Sequence, residues 1–300
     1  MNKTCIIIAG PTAVGKTALA VEVAQHFSTK IISADSRQCY KELNIGVAKP
    51  SQEELQAIHH YFINTHSIED DFSAADYEAY ALHAVRDIFL ENDIAVMVGG
   101  TGLYIKAFCE GLDDIPAVDD EIRNEVIKNY EQGGLSYLQS AIQKADPAFY
   151  KTGEMQNPQR MIRALEVQLS TGRSITSYQS KQKKQRDFSI IKTGLQLPRE
   201  ILYERINARV DQMIDDGLVH EAEELISFKK FNALQTVGYR ELFDYFDNIT
   251  SLDRAIELIK QNTRHYAKRQ MTWFKKDEEM NWCAPVKDEL LRVINGKIGS

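Results

Sequence analysis

The chain has 300 residues, 43% of them hydrophobic and 26% charged, and carries a formal net charge of −7. This composition supports a sizeable buried core and argues against disorder, and no run approaches the ~20 apolar residues of a membrane span. Cys5, Cys39, Cys109 and Cys283 are scattered without a CxxC pair, which argues against a zinc cluster or a disulfide framework and for reduced thiols. The first apolar run is too short for a signal peptide, so the expected location is cytoplasmic, with no membrane partner.

In chain order, TCIIIA (4–9) reads as a parallel strand buried on both faces, because its apolar run is continuous rather than alternating. GPTAVGKT (10–17) has the spacing of a P-loop, and the helix after it carries Ala18, Leu19, Val21 and Val23. KIISADS (30–36) is a second strand and YFINTH (61–66) a weaker candidate. Ser73 is placed to cap a helix through the amide near Asp76, and that helix runs to about Asn92. IAVMV (94–98) is a further buried strand. Strands alternating with helices predict an α/β fold, a P-loop-type doubly wound parallel sheet.

Past about Cys109 the texture changes. Residues 110–187 hold no convincing strand and read as helices broken at Gly133-Gly134, Asp146-Pro147 and Asn157-Pro158, before FSIIKTGLQL (188–197) returns to a strand. The expected organisation is a catalytic core of residues 1–109 and 188–300 with a helical insertion lobe, 110–187, between two strands of one sheet. Helices are expected from about Pro198 to Phe228, near 239–247 and from Leu252 to Lys276, giving a helical C-terminal region.

The loop is the strongest chemical signal. Gly10 and Gly15 can take backbone angles that other residues resist, so the amides along Gly10-Pro11-Thr12-Ala13-Val14-Gly15 can turn toward a diphosphate or a nucleotide such as ATP. Lys16 adds positive charge, and the Thr17 hydroxyl can ligate magnesium, the one cofactor expected. Ligands of open parallel sheets sit at the carboxyl ends of the strands, which puts ADSRQCY (34–40) and GGTGLY (99–104) on the same cleft. In many P-loop hydrolases a later strand ends in a magnesium-binding acid; here glycines stand in its place. Asp35 lies near the phosphates and is followed by Ser36, Arg37 and Gln38, donors and acceptors suited to a polar planar group. The blander alternative makes Asp35 a turn cap.

Charge is uneven. Between Arg160 and Val210 there are eleven Lys/Arg against four Asp/Glu, and RHYAKRQMTWFKK (264–276) holds five Lys/Arg and no acid. A helix would align Arg264, Lys268 and Lys275 on one face and set Tyr266 and Trp273 on another, which also describes an ordinary amphipathic helix. His59 and His60 have no third metal ligand nearby in sequence and receive no role.

Together these residues resemble the bacterial tRNA dimethylallyltransferase family, also called tRNA isopentenyltransferases. The resemblance spans nearly the whole chain and rests on GPTAVGKT, DSRQCY, IGVAKP (45–50), HHYF (59–62), VGGTGLY (98–104), NPQRMIRALE (157–166), VGYRE (237–241) and TRHYAKRQMTWF (263–274). IGVAKP departs slightly from the usual IGTAKP, without touching the catalytic assignments. The resemblance implies transfer of a dimethylallyl group from dimethylallyl diphosphate to the exocyclic amine of the adenosine 3′-adjacent to the anticodon, forming i6A and releasing diphosphate. It implies the tRNA anticodon stem-loop as partner, gripped by the insertion, with Asp35, Ser36, Arg37, Gln38, Thr101, Arg123, Gln159, Arg160, Met161, Ile162 and Arg163 touching RNA. The chain is expected to act as a monomer.

The physics suits that reaction. Breaking the allylic carbon–oxygen bond puts charge on the leaving diphosphate, which the loop amides, Lys16 and a magnesium at Thr17 can stabilise. Arg205 and Arg209, four apart on a helix, can add positive charge, and the resemblance favours Arg209. The acceptor amine is a poor nucleophile, so Asp35 is the candidate general base, with Thr101 orienting the amine or the base. Extruding the acceptor base costs a few kcal/mol, which the basic excess from Arg160 onward can offset through phosphate contacts. The alternatives are a P-loop small-molecule kinase and a non-catalytic RNA-binding module switched by nucleotide.

Overall fold

The computed structural model describes residues 3–180 and 182–298. It divides into two compact units, Met1–Glu110 with Gln185–Ser300, and Gly111–Lys184. In chain order the first part of the larger unit contains β1 (Thr4–Ala9), α1 (Lys16–His26), β2 (Ile31–Ala34), α2 (Gln52–Ala57), β3 (His60–Tyr61), α3 (Ala74–Glu91), β4 (Ile94–Gly99) and α4 (Gly102–Glu110). The smaller unit contains α5 (Asp120–Ala145), α6 (Pro147–Thr152) and α7 (Pro158–Thr171). The chain returns to the larger unit with β5 (Ser189–Leu195), α8 (Arg199–Asp215), α9 (Leu218–Glu224), α10 (Tyr239–Phe246), α11 (Leu252–Phe274), β6 (Asn281–Cys283) and α12 (Lys287–Asn295).

The sheet order is β3-β2-β4-β1-β5-β6 and every neighbouring pair is parallel. Central β1 is buried along its whole length, as a strand covered by helices on both faces must be. Its side chains alternate between two cores. Ile7 faces a cluster with Tyr77, Met97, Phe108 and Leu242, while Ile6 and Ile8 face Val23, Leu195 and Ile206 on the other side.

Local chemistry sets most boundaries. Ser73 Oγ accepts the Asp76 amide and Asp76 Oδ2 accepts the Ser73 amide, a reciprocal box that starts α3. The strand expected over 61–66 is cut short, because Phe62 and Asn64 take left-handed backbone angles, φ 67° and 55°. The helix expected from Pro198 to Phe228 breaks into α8 and α9 at Gly217, φ 102°. Among the described residues all four cysteines are unbridged and buried, and no helix is long and apolar enough to cross a membrane.

Arg186 anchors the returning chain. It donates to the Phe108 and Ala107 carbonyls and to Glu78 Oε1, with both charged side chains nearly buried. Arg186→Met leaves the Glu78 carboxylate without its buried cation. Chemical denaturation is expected to show a loss of about 3–5 kcal/mol.

In the smaller unit α5 kinks at Gly134, Asp146 caps α6 through the Phe149 amide, and Asn157 caps α7 through the Arg160 amide. Its core gathers Leu138, Ile142, Met161, Ile162 and Leu165. Met161 and Ile162, expected among the RNA-touching residues, are 0% and 7% exposed, so their side chains serve packing. On the same stretch Gln159 and Arg160 are exposed and Arg163 is half-buried. Glu166, itself buried, lies 3.5 Å from Arg163 and 3.9 Å from Arg123.

Candidate functional site

The carboxyl ends of β1, β2 and β4 carry the P-loop, the Asp35 turn and the glycine segment. β1 pairs with β4 as far as Ala9–Gly99, and β2 with β4 as far as Ala34–Gly99, so the three loops leave the sheet together.

The P-loop turns sharply at Gly15, whose φ of 103° lies in the left-handed region that favours glycine, and α1 begins at the next residue. No acceptor among the described residues takes the amides of Val14, Gly15, Lys16 and Thr17. Four free donors at a helix N-terminus form an anion cradle. The loop differs from expectation on its first side: the Thr12 amide is occupied by Gln270 Oε1 at 2.8 Å, and Val14 contributes backbone only because its side chain is buried. Lys16 Nζ donates to the Pro11 carbonyl at 2.7 Å. Burial lowers its pKa to about 7; Asp35 pulls it up and Arg209 pushes it down.

A cavity of about 340 Å³ opens on this cradle. Lys16, Thr17, Arg205 and Arg209 line it, with the Ala48-Lys49-Pro50 stretch opposite. Arg209 Nη1 lies 3.4 Å from Thr12 Oγ1 and Arg205 Nη1 3.4 Å from the Val14 carbonyl. Arg205 and Arg209 of α8 therefore both line the anion site, where the resemblance favoured Arg209.

Asp35 caps the turn that follows β2. Its Oδ1 accepts the amides of Arg37 at 2.9 Å and Gln38 at 3.4 Å, which fixes the turn. Its Oδ2 has no hydrogen-bond partner among the described residues. The carboxylate is close enough to act electrostatically on Lys16, Arg209 and Tyr266. Thr101 supports this turn: its hydroxyl accepts the Ser36 amide at 3.0 Å and its amide donates to the Ala34 carbonyl. Gln38 is used internally, donating to the Val47 and Ala48 carbonyls. Thr101 and Gln38 thus hold the turn together, and Asp35, Ser36 and Arg37 are half-buried beside them.

The glycines at the end of β4 have a packing cause. A Cβ on Gly99 would sit 2.2 Å from the Ala34 carbonyl oxygen, and one on Gly102 would strike the Trp273 indole at 2.2 Å. They permit close approach where another P-loop protein places an acid.

Some contributors were missed in the sequence. Glu221 accepts the Ile45 and Gly46 amides and the Tyr239 hydroxyl, pinning the stretch that lines the cavity. Burial, with Glu221 beside it, raises the Tyr239 pKa well above the ordinary value. Their signal was the IGVAKP and VGYRE motifs, whose partnership no spacing reveals. Arg264 of the basic helix donates to Asn207 Oδ1 of α8, which positions its guanidinium and leaves its charge uncompensated by that partner. Among the described residues no group of three His, Cys, Asp or Glu could hold a metal.

A family model described as IPP transferase matches residues 38–277. The tRNA dimethylallyltransferase of Christiangramia forsetii is 51% identical over 282 residues, covering 94% of this chain and 93% of that protein. The full-length tRNA isopentenylpyrophosphate transferase structure from Bacillus halodurans superposes with a TM-score of 0.72 at 33% identity, covering 99% of this chain and 96% of that one. A eukaryotic dimethylallyltransferase described as acting on tRNA gives a TM-score of 0.74 at 26% identity, covering 94% and 74%.

Proposed function

The chain belongs to the IPP transferase family, and from that premise we propose that it transfers a dimethylallyl group from dimethylallyl diphosphate to tRNA. The acceptor is the exocyclic amine of the adenosine 3′ to the anticodon. The observation that carries the reading is the pairing of an open amide cradle with a turn-fixed carboxylate, Asp35, at the carboxyl ends of β1 and β2, the two strands that flank β4.

The nitrogen–carbon bond forms as the allylic carbon–oxygen bond breaks. The leaving diphosphate keeps the bonding electrons and is stabilised by the amides of Val14 to Thr17, by Lys16 and by Arg205 and Arg209. The amine proton passes to Asp35 Oδ2, while the Arg37 and Gln38 amides hold Oδ1. Thr17 is the residue that would hold magnesium. A single hydroxyl suits an ion that binds mainly to substrate phosphate oxygens and water, and the ion would neutralise leaving-group charge.

A kinase reading is less well supported, because β4 ends in glycines required for packing and the relatives named above are prenyl transferases. The insertion is proposed to hold the anticodon stem-loop through Gln159, Arg160, Arg163 and Arg123, in a monomer working in the cytoplasm. Incubation with unmodified tRNA, labelled dimethylallyl diphosphate and magnesium tests the function. Label in RNA is expected, and ATP-dependent phosphorylation of a small molecule without it would favour the kinase.

Lys183 and Lys184 belong to the basic segment that closes the insertion, and Lys181 lies outside the described residues. Replacing all three by Ala is expected to weaken tRNA binding and reduce the salt slope of log K by about 2, at roughly 0.7–0.9 per phosphate contact. An unchanged slope removes them from the interface.

A further inference from the structure

Gln270 of α11 is 6% exposed, and its carboxamide is used at both ends. Oε1 accepts the Thr12 amide at 2.8 Å and Nε2 donates to the Gly100 carbonyl at 3.0 Å. Tyr266, one turn earlier, also engages this side chain. Thr12 belongs to the diphosphate loop. Gly100 precedes Thr101, whose hydroxyl holds the Ser36 amide beside Asp35. One planar group therefore joins the loop that follows β1 to the loop that follows β4.

The sheet cannot supply this link. The β1–β4 ladder ends at Ala9 and Gly99, and beyond it the two loops share no strand pairing. Residue 100 is shaped for the strut, since a Cβ there would sit 2.2 Å from Gln270 Nε2. Glutamine presents one acceptor and one donor group on a rigid plane, which matches an amide on one side and a carbonyl on the other.

We infer that Gln270 is a positioning residue that sets the spacing between the departing diphosphate and the acceptor amine, holding the two half-sites in one register. It touches neither reacting atom, and this role rests on the transferase reading. Reactions of this kind are steep in distance: a misplacement of about 1 Å can cost ~10²-fold in rate. A strut of this type governs the rate within the ternary complex more than the affinity for either substrate.

Two variants test it. Gln270→Leu removes both hydrogen bonds. Gln270→Glu, when ionised, keeps the acceptor but sets negative charge against the Gly100 carbonyl; when protonated it offers a donor and an acceptor again. Single-turnover transfer to tRNA is measured from acidic to alkaline pH, with dissociation constants for dimethylallyl diphosphate and tRNA. Gln270→Leu is expected to lower the single-turnover rate ~10²-fold and leave both dissociation constants within about threefold. The rate of Gln270→Glu relative to wild type is expected to climb as pH falls, because burial favours the protonated acid. Asp35, Lys16 and Tyr266 are present in both proteins, so the ratio isolates the pH dependence that the new carboxyl introduces.

A full-rate Leu variant from an active wild type overturns this inference alone, as does a Glu-to-wild-type ratio that stays flat with pH. Should the Leu variant not fold, judged by circular dichroism, the Glu ratio decides. A wild type that transfers no label overturns the transferase reading and the strut with it.

Discussion

Asp35→Asn is expected to lower turnover by about 10²–10⁴-fold, the usual span for removing a general base. The substitution is nearly isosteric, and its Oδ1 can still accept the Arg37 and Gln38 amides that Asp35 holds at 2.9 and 3.4 Å. The turn, and with it the Ser36–Thr101 contact, is therefore expected to survive. What is lost is the proton-accepting oxygen, Oδ2. Affinity for tRNA should stay within about threefold, because the amide keeps the shape and most of the hydrogen-bonding capacity. The check is single-turnover transfer beside filter binding of tRNA. Equal losses in rate and affinity would instead assign Asp35 to RNA binding and leave the reaction without its base.

Lys16→Met should cost about 10²–10³-fold in turnover, the range seen when one preorganised donor to developing negative charge is removed. It also carries a distinct pH signature. Burial holds the Lys16 pKa at about 7, far below the ordinary lysine value, and a bound diphosphate favours the ammonium and raises it again. Between those two values, binding takes up one proton. The dissociation constant for dimethylallyl diphosphate should therefore rise with pH above about 7, approaching tenfold per unit, and level off once the pH passes the pKa of the bound state. Below about 7 the lysine is charged in both states and contributes no slope. In Lys16→Met this part of the pH dependence should vanish, and comparing the two proteins removes the titration of the ligand itself. Identical slopes would mean that Lys16 is fully charged throughout.

The alternation of strand and helix and the start of α3 at Ser73 were readable because their causes are local: continuous apolar runs, a capping box and the spacing of a glycine loop. So were the breaks in the insertion, where Asp146 and Asn157 cap the next helix ahead of a proline. The edge strand β6 escaped, since three residues carry no periodicity and only pairing with β5 defines them.

Charge shows the limit most clearly. The basic excess after Arg160 reads as one RNA-facing patch, yet Arg186 is paired with Glu78, Lys192 with Asp277 and Glu279, and, at the exposed surface, Arg160 with Glu154. Each of those acids lies outside the stretch that was counted. A window of sequence sums charge along the chain, whereas the field is set by neighbours in space.

The sequence by itself determined the family and the places of the glycine loop and of Asp35 at strand ends, because a buried apolar run and the spacing of a glycine loop are local signals. Tertiary structure alone decided which polar groups were free to act. Gln270, from 258 residues further along the chain, takes the Thr12 amide, the Asp35 turn uses one carboxylate oxygen and spares the other, and Glu221 ties down the far wall. Hydrogen-bonding capacity is a property of a residue, but whether it is already spent depends on partners that only folding brings within 3 Å or so.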